Sequence, residues 1–427
     1  MQTTPAKAYS YRWIILIVFA AVLAVNQLAW ITFAPITDSA AAYYGVSTLA
    51  IGLLSASFML VYIVVSIPAS WVIDTYGFRV AVGLGALLTG GFGLLRGVLA
   101  ANFTLVFISQ IGIAIGQPFI VNAVTKVAAR WFPVGERATA AGIGSLGMYL
   151  GIVLGLALTP ALAAQFGLAH MLVAYGAVCM VVALVFLAVA REHPPTPSSA
   201  LGDDARSLVL DGLRQMLRKR DFLLLMLIFF IGLGIFNAVT TWIEEILRPR
   251  GFTAGQAGFS GALMIVAGII GAAILPALSD RYRRRVPFIG MCLAGGTLGL
   301  VGIAYAATYP LLLASALVLG FFLLSSGPIG FQYGAEIAYP APEGTSNGVV
   351  MMMGQISGII FILAMDAFKS PLTGSMLGPL LVLIGLFVVS LLVSTRLHEP
   401  PALRVPGSLP EALVPGAEAA PAELPVE

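Results

Sequence analysis

Ile73-Asp74-Thr75-Tyr76-Gly77-Phe78-Arg79 is a short polar turn between two apolar runs, and Ser279-Asp280-Arg281-Tyr282-Arg283-Arg284-Arg285 repeats it in the second half of the chain. In each copy an Asp is followed five residues later by an Arg. The first copy closes the second long apolar stretch and the second copy closes the eighth. Working outward from these two anchors, twelve apolar stretches divide six and six about one polar interruption at residues 191–221. Crossing the hydrocarbon core takes about 20 apolar residues. Spans are expected near 13–37, 48–73, 79–100, 103–129, 137–162 and 168–190, then 222–247, 256–279, 286–306, 310–334, 345–368 and 374–396. Backbone groups in lipid must find partners within their own segment, so each span is expected to be a helix. The predicted fold class is an all-α membrane protein with twelve transmembrane helices in two pseudo-symmetric six-helix bundles.

Composition supports this reading. The chain of 427 residues is 59% hydrophobic and 10% charged, with a mean hydropathy of +0.99. A soluble protein could not hide that much apolar surface. Of the 22 Lys and Arg residues, all but Arg96, Arg248, Arg250 and Lys369 fall on one face if the N-terminus is cytoplasmic. An odd number of spans would destroy that segregation. Basic residues mark the inner side, so the expected location is the plasma (inner) membrane with both termini cytoplasmic. The first apolar run is too long for a signal-peptide core and reads as the first span.

The expected domains are an N-terminal bundle at 1–190, a cytoplasmic linker at 191–221, a C-terminal bundle at 222–396 and a disordered cytoplasmic tail at 397–427. Within the linker, Val209, Leu213, Met216 and Leu217 share one helical face of Arg206–Arg220, which predicts a helix lying on the membrane surface. Cys179 and Cys292 sit in separate apolar runs and suggest neither a disulfide framework nor a zinc site. Asn102-Phe103-Thr104 has the form of a glycosylation triplet, but one in a short loop carries little weight.

A six-plus-six duplication with matching charged turns is the layout of a secondary transporter. The turns supply the gating candidates Asp74, Arg79, Asp280 and Arg281, with Arg130 at the end of span 4. Charges placed there form bonds in one access state and break them in another. Gly147, Gly151 and Gly155 on span 5, and Gly112 and Gly116 on span 4, recur every four residues, a spacing that allows close helix approach. Gly142-Ile-Gly-Ser-Leu-Gly147 matches a dinucleotide fingerprint only formally, because no strand precedes it. No Walker-type phosphate loop is present.

Polar side chains within apolar spans are the solute-binding candidates. Asn26, Trp30, Phe33 and Thr37 share a face of span 1. Gln117 lies deep in span 4 with Asn122 nearby, and Asn237, Thr241 and Glu244 form a stripe on span 7. Gln355 stands among methionines on span 11. Glu244 is expected to pair with Arg248 at a helical spacing near the outer interface. No carboxylate or arginine occupies the middle of spans 1, 4, 7 or 10, so the reading favours a neutral or cationic small organic solute and gives no sign of obligate proton drive. A drug–proton exporter and an organic-anion transporter are the rival readings, although span 5 lacks the proline expected beside its glycines in such exporters. His170, His193 and His398 lie at span ends or in loops, so no intramembrane catalytic set is expected. No cofactor, metal or nucleic-acid partner is implied, and the chain is expected to act as a monomer in the lipid bilayer.

The paired turn resembles the repeated loop signature of the major facilitator superfamily across all twelve spans. The second copy carries Arg283 where a glycine is usual. That resemblance implies a cavity lined by spans 1, 4, 7 and 10, with span 11 also reaching it. Three segments are similar to a narrower group: Ser57–Tyr62 running to Arg79, Gly116–Asn122 followed by Ala129–Pro133 and Glu136–Thr139, and Gly327–Phe331 running through Glu336 and Glu343 to Gln355. They resemble the feline leukaemia virus subgroup C receptor-related transporters, which move choline and ethanolamine and have been proposed to carry haem. The resemblance implies site roles for Trp30, Gln117 and Gln355. Asn237 stands where that family has a tyrosine, so either Phe33 replaces that wall or the solute is a different amine or a neutral molecule.

Overall fold

Twelve long helices cross the molecule. They are α1 (Tyr11–Tyr44), α2 (Thr48–Tyr76), α3 (Phe78–Val98), α4 (Phe103–Trp131), α5 (Arg137–Phe166), α6 (Leu168–Val189), α7 (Arg220–Thr241), α8 (Ala254–Tyr282), α9 (Val286–Tyr305), α10 (Tyr309–Ala338), α11 (Glu343–Ala367) and α12 (Leu377–Ser394). The computed structural model describes residues 9–132, 136–194, 214–338 and 343–399, with the side chains of residues 74, 137–139, 343–345 and 347 outside that description. The expected linker helix falls mostly outside the described residues; of its apolar face Met216 is placed and fully buried, whereas Leu217 is placed and exposed. The tail from residue 400 onward also lies outside them.

Two spans are broken, each next to the site described below. In α1 the helix stops at Ile31 and passes through a tight turn at Ala34–Ile36 before resuming at Thr37–Tyr44. Pro35 lacks an amide hydrogen and cannot continue the ladder. One turn earlier, Thr32 Oγ1 donates to the Leu28 carbonyl at 2.7 Å. In α4 the break falls at Asn122 and Ala123, shortly after Pro118.

The two bundles are wound alike. In the first, α1 packs on α5, α2 and α3 both pack on α4, and α3 lies along α6; in the second, α7 packs on α11, α8 and α9 on α10, and α9 along α12. Glycines make the tightest of these approaches. A methyl group added at Gly147 or Gly151 would lie 2.3 or 2.0 Å from the carbonyl oxygens of Ala20 and Ala24 on α1. Gly116 meets the Gly85 carbonyl of α3 in the same way, at 2.6 Å.

Arg96 corrects one expectation. Its backbone lies near the end of α3, but the side chain is fully buried inside the first bundle rather than on the outer face. Nη1 donates to the Ala29 carbonyl at 2.9 Å and to Gln110 Oε1 at 2.6 Å, and the guanidinium lies 5.5 Å from the centre of the Phe33 ring. Asn102 has a structural task as well: its side chain caps α4 by accepting the Leu105 amide at 3.2 Å.

The end of the molecule carrying the two Asp-to-Arg turns is called here the basic end, and its opposite the far end. Contacts joining the bundles run along α5–α8 and α2–α11. They concentrate in the far half, where Gly258 abuts the Leu156 carbonyl, Gly52 abuts the Trp242 ring and Gly358 abuts Met59.

Candidate functional site

A cavity of about 290 Å³ lies between the bundles. Trp30, Gln117, Asn237 and Gln355 all line it, brought together from α1, α4, α7 and α11. Among the described residues, its lining contains no Asp, Glu, Lys, Arg or His. The indole of Trp30 is pinned by Nε1 donating to the Ser55 carbonyl of α2 at 3.2 Å, so its face rather than its N–H is available. Asn237 Nδ2 donates to the Gly354 carbonyl at 3.2 Å, tying α7 to α11 beside Gln355. The amides of Gln117 and Gln355 hold no hydrogen bond to another described residue, which leaves both donor and acceptor for a solute.

Asn26, Phe33, Thr37, Asn122, Thr241 and Glu244 do not line this cavity. Asn26 is fully buried and donates to Thr89 Oγ1 on α3 at 3.0 Å, because it lies on the face of α1 turned into its own bundle. Phe33 is buried beneath Arg96 on that same inward face of α1, and so does not supply an aromatic wall. Thr241 is buried one turn beyond Asn237. In their place the cavity takes Gln27, Tyr62 and Tyr149, none of which was singled out from sequence. Gln27 follows Asn26 directly and lies on the other side of Trp30, about 60° away on the helical wheel against about 40° for Asn26, so the wheel alone did not select it. The Tyr62 hydroxyl donates to Asn122 Oδ1 at 2.7 Å, and Asn122 in turn donates to Ser66 Oγ and Ser70 Oγ at 3.0 and 3.1 Å.

At the basic end the two turns share a device absent from the sequence reading. Glu192, just after α6, accepts the backbone amides of Phe78 and Arg79 at 3.1 and 2.7 Å. Glu399, just after α12, accepts those of Arg285 and Val286, each at 3.0 Å. A carboxylate at a helix N-terminus satisfies orphan donors and complements the dipole. The signal was present in sequence as Glu192-His-Pro-Pro and His398-Glu-Pro-Pro. Arg79 is exposed and also reaches the Leu187 carbonyl at 3.3 Å. The Asp74 side chain is outside the described residues, and Arg130 is half-buried in the last turn of α4.

In the second turn the engaged arginine is Arg285, not Arg281. Arg281 is exposed, whereas Arg285 is buried, bonds Asp280 and meets Glu336 of α10 at 3.0 Å. Burial by itself would favour the neutral guanidine, but the hydrogen bonds and charges of Glu336 and Asp280 outweigh it, and the Arg285 pKa is raised.

At the far end, Glu244 corrects another expectation. It is buried, and its Oε2 accepts the backbone amide of Asp38 at 2.9 Å, across the boundary between bundles. Arg248 pairs instead with Glu245 at 3.3 Å and Asp38 at 3.5 Å. Lys369 bridges Asp366 at 2.7 Å and Thr48 Oγ1 at 2.8 Å, the latter again in the opposite bundle.

A family model described as Major Facilitator Superfamily matches residues 19–362. The chain belongs to the major facilitator superfamily. This facilitator is 33% identical over 377 residues to solute carrier family 49 member A3 of Danio rerio, covering 85% of the chain and 80% of that relative. It is 29% identical over 420 residues to the choline/ethanolamine transporter flvcr2b of Danio rerio, covering 92% and 86%. Among solved structures it resembles a bacterial homologue of the human lysosomal transporter Spinster in an inward-facing, unoccupied conformation, with a TM-score of 0.74, 16% identity and coverage of 92% and 98%. Membership accounts for the duplicated architecture, and the facilitator is a secondary transporter of a small solute.

Proposed function

We propose that the cavity binds a small organic amine, choline- or ethanolamine-like, through the face of Trp30 and the free amides of Gln117 and Gln355. The observation that carries this reading is a desolvated indole face beside two unengaged amides in a lining without ionised side chains. An aromatic face attracts an ammonium group through its quadrupole, worth about 2 kcal/mol when desolvated. The amides are suited to a hydroxyl or a second polar end of the solute. The choline/ethanolamine transporters among the relatives support the same class. Asn237 places an amide where an aromatic would tighten the cage, so the site is expected to suit amines that also offer a hydrogen-bonding group. In this reading the chain works as a monomer in the plasma membrane with its basic end cytoplasmic, and the bundles rock about the cavity to alternate access.

The test is thermal stabilisation in detergent by a panel of amines, neutral metabolites and organic acids, followed by uptake into vesicles. An amine should stabilise the protein, and Trp30→Ala should weaken its binding roughly 30-fold, the equivalent of about 2 kcal/mol, without lowering abundance. Stabilisation by acids or neutral metabolites alone, or unchanged uptake by Trp30→Ala, would overturn the assignment.

A further inference from the structure

Glu244 lies in the short helix Ile243–Leu247, which continues α7 at the far end, and it is buried where the two bundles meet. Its carboxylate is held by one neutral donor, the Asp38 amide in the first turn of Thr37–Tyr44. The charged groups around it leave it without a cation of its own. Glu245, also buried, is adjacent in sequence, and the Asp38 carboxylate faces it from the opposite bundle. Arg248 is shared between Glu245 and Asp38, and Lys369 is held by Asp366 and Thr48. Arg250 turns away to the carbonyls of Ile246 and Ile303. Tyr43 and Tyr44 pack on each other at the end of Thr37–Tyr44. Neither α8 before Asp280 nor α7 after Asp221 contributes an ionisable side chain.

Parting the bundles at this end would remove the Asp38 amide and deliver the Glu244 carboxylate to water. We propose that Glu244 is a proton-binding site whose occupancy is linked to closure of the far end. Closing takes up a proton from the water on that side and opening returns it to the same side, so no net proton crosses the bilayer. Burial raises the Glu244 pKa from 4.5 to about 7 in the closed arrangement, with the charges of Asp38 and Glu245 adding to the rise and the Asp38 amide and Arg248 opposing it. The sign follows by linkage. A pKa higher in the closed form means that its proton-dependent stabilisation is full below the open-form pKa and is lost as pH rises through the closed-form value. The open-to-closed ratio should therefore climb between about pH 4.5 and 7, by up to roughly 300-fold.

The experiment is a pulsed dipolar distance measurement on the full chain in lipid nanodiscs. Spin labels are attached through Tyr43→Cys and Leu372→Cys, two exposed far-end positions in opposite bundles, in a Cys179→Ser, Cys292→Ser background. The long-distance population should grow from pH 5 to pH 8.5. Glu244→Gln, with a permanently uncharged side chain, should stay biased to the short distance at every pH. Glu245→Gln should keep the transition but move it to lower pH, because one neighbouring charge is gone. Distances that ignore pH in the unsubstituted gate, a transition that survives in Glu244→Gln, or one that Glu245→Gln leaves unmoved would each overturn the proposal. The measurement needs no solute and is independent of the amine reading.

Discussion

Arg283 occupies a left-handed backbone conformation with φ of 52°, at the place in the second turn where Gly77 of the first has φ of 87°. The two turns share a positive φ but not a path, because ψ is 168° at Gly77 and 40° at Arg283, an ordinary left-handed residue. A side chain held in that region costs on the order of 1–2 kcal/mol. Arg283→Gly should stabilise the protein by about 1 kcal/mol, part of the relief being offset by the greater freedom of glycine in the unfolded chain. Thermal unfolding in detergent would read this as a higher midpoint; an unchanged or lowered midpoint would show that the Arg283 side chain has contacts of greater value. Sequence made the Asp-to-Arg spacing visible, yet it did not say which of four nearby arginines turns inward. That choice is made by Glu336, a residue 51 positions from Arg285 that folding brings to 3.0 Å. The Glu244 contact was hidden for the same reason, its acceptor and donor being 206 positions apart. The pairing expected from helical spacing went instead to the neighbouring Glu245.

Between helices, the four-residue glycine spacing on α5 translates directly into packing. Gly147 and Gly151 rest on successive turns of α1, and Gly155 receives Ile31, so α1 is seated along the whole approach to its break. Gly151→Ala would force a methyl to 2.0 Å from the Ala24 carbonyl, and the two helices would have to separate. The expected cost is about 1–3 kcal/mol. Gly142→Ala, on the same helix but with nothing within 4 Å of the added carbon, is the matched control and should stabilise by up to about 1 kcal/mol through helix propensity. Equal effects from the two substitutions would argue that helix propensity, not contact with α1, governs this element. Spans and ladders were legible because apolar length and small-residue period are local properties. The break in α1 is local too, signalled by Pro35; Phe33 precedes it in helical conformation and is missing from the cavity because it shares with Asn26 the face turned into the first bundle.

For the molecule as a whole, the far-end closure rests on small residues as much as on charges. Gly52 of α2 receives the Trp242 ring from the other bundle, and a methyl there would come within 2.5 Å of it. Trp242 cannot easily withdraw, since Nε1 donates to the Ile362 carbonyl at 3.1 Å and the side chain is fully buried. Gly52→Val should therefore prop the bundles apart at this end. A membrane-impermeant maleimide applied from the far side should label Cys292, buried in the closed form but lining the cavity, several-fold faster than in the parent protein, while Cys179, buried away from the cavity, stays unlabelled. Unaltered Cys292 labelling would mean that Trp242 finds another seat. Polar residues in apolar runs pointed to four side chains that line one cavity, whereas the contacts between bundles depend on shape and could not be inferred from either half alone. The carboxylates of Glu192 and Glu399 carry a different implication. Each ties the exit of a bundle's sixth helix to the entrance of its third, so each repeat is fastened off like a finished seam. Neither fastening draws on the other, so loss of one carboxylate should loosen its own repeat while the opposite seam stays closed.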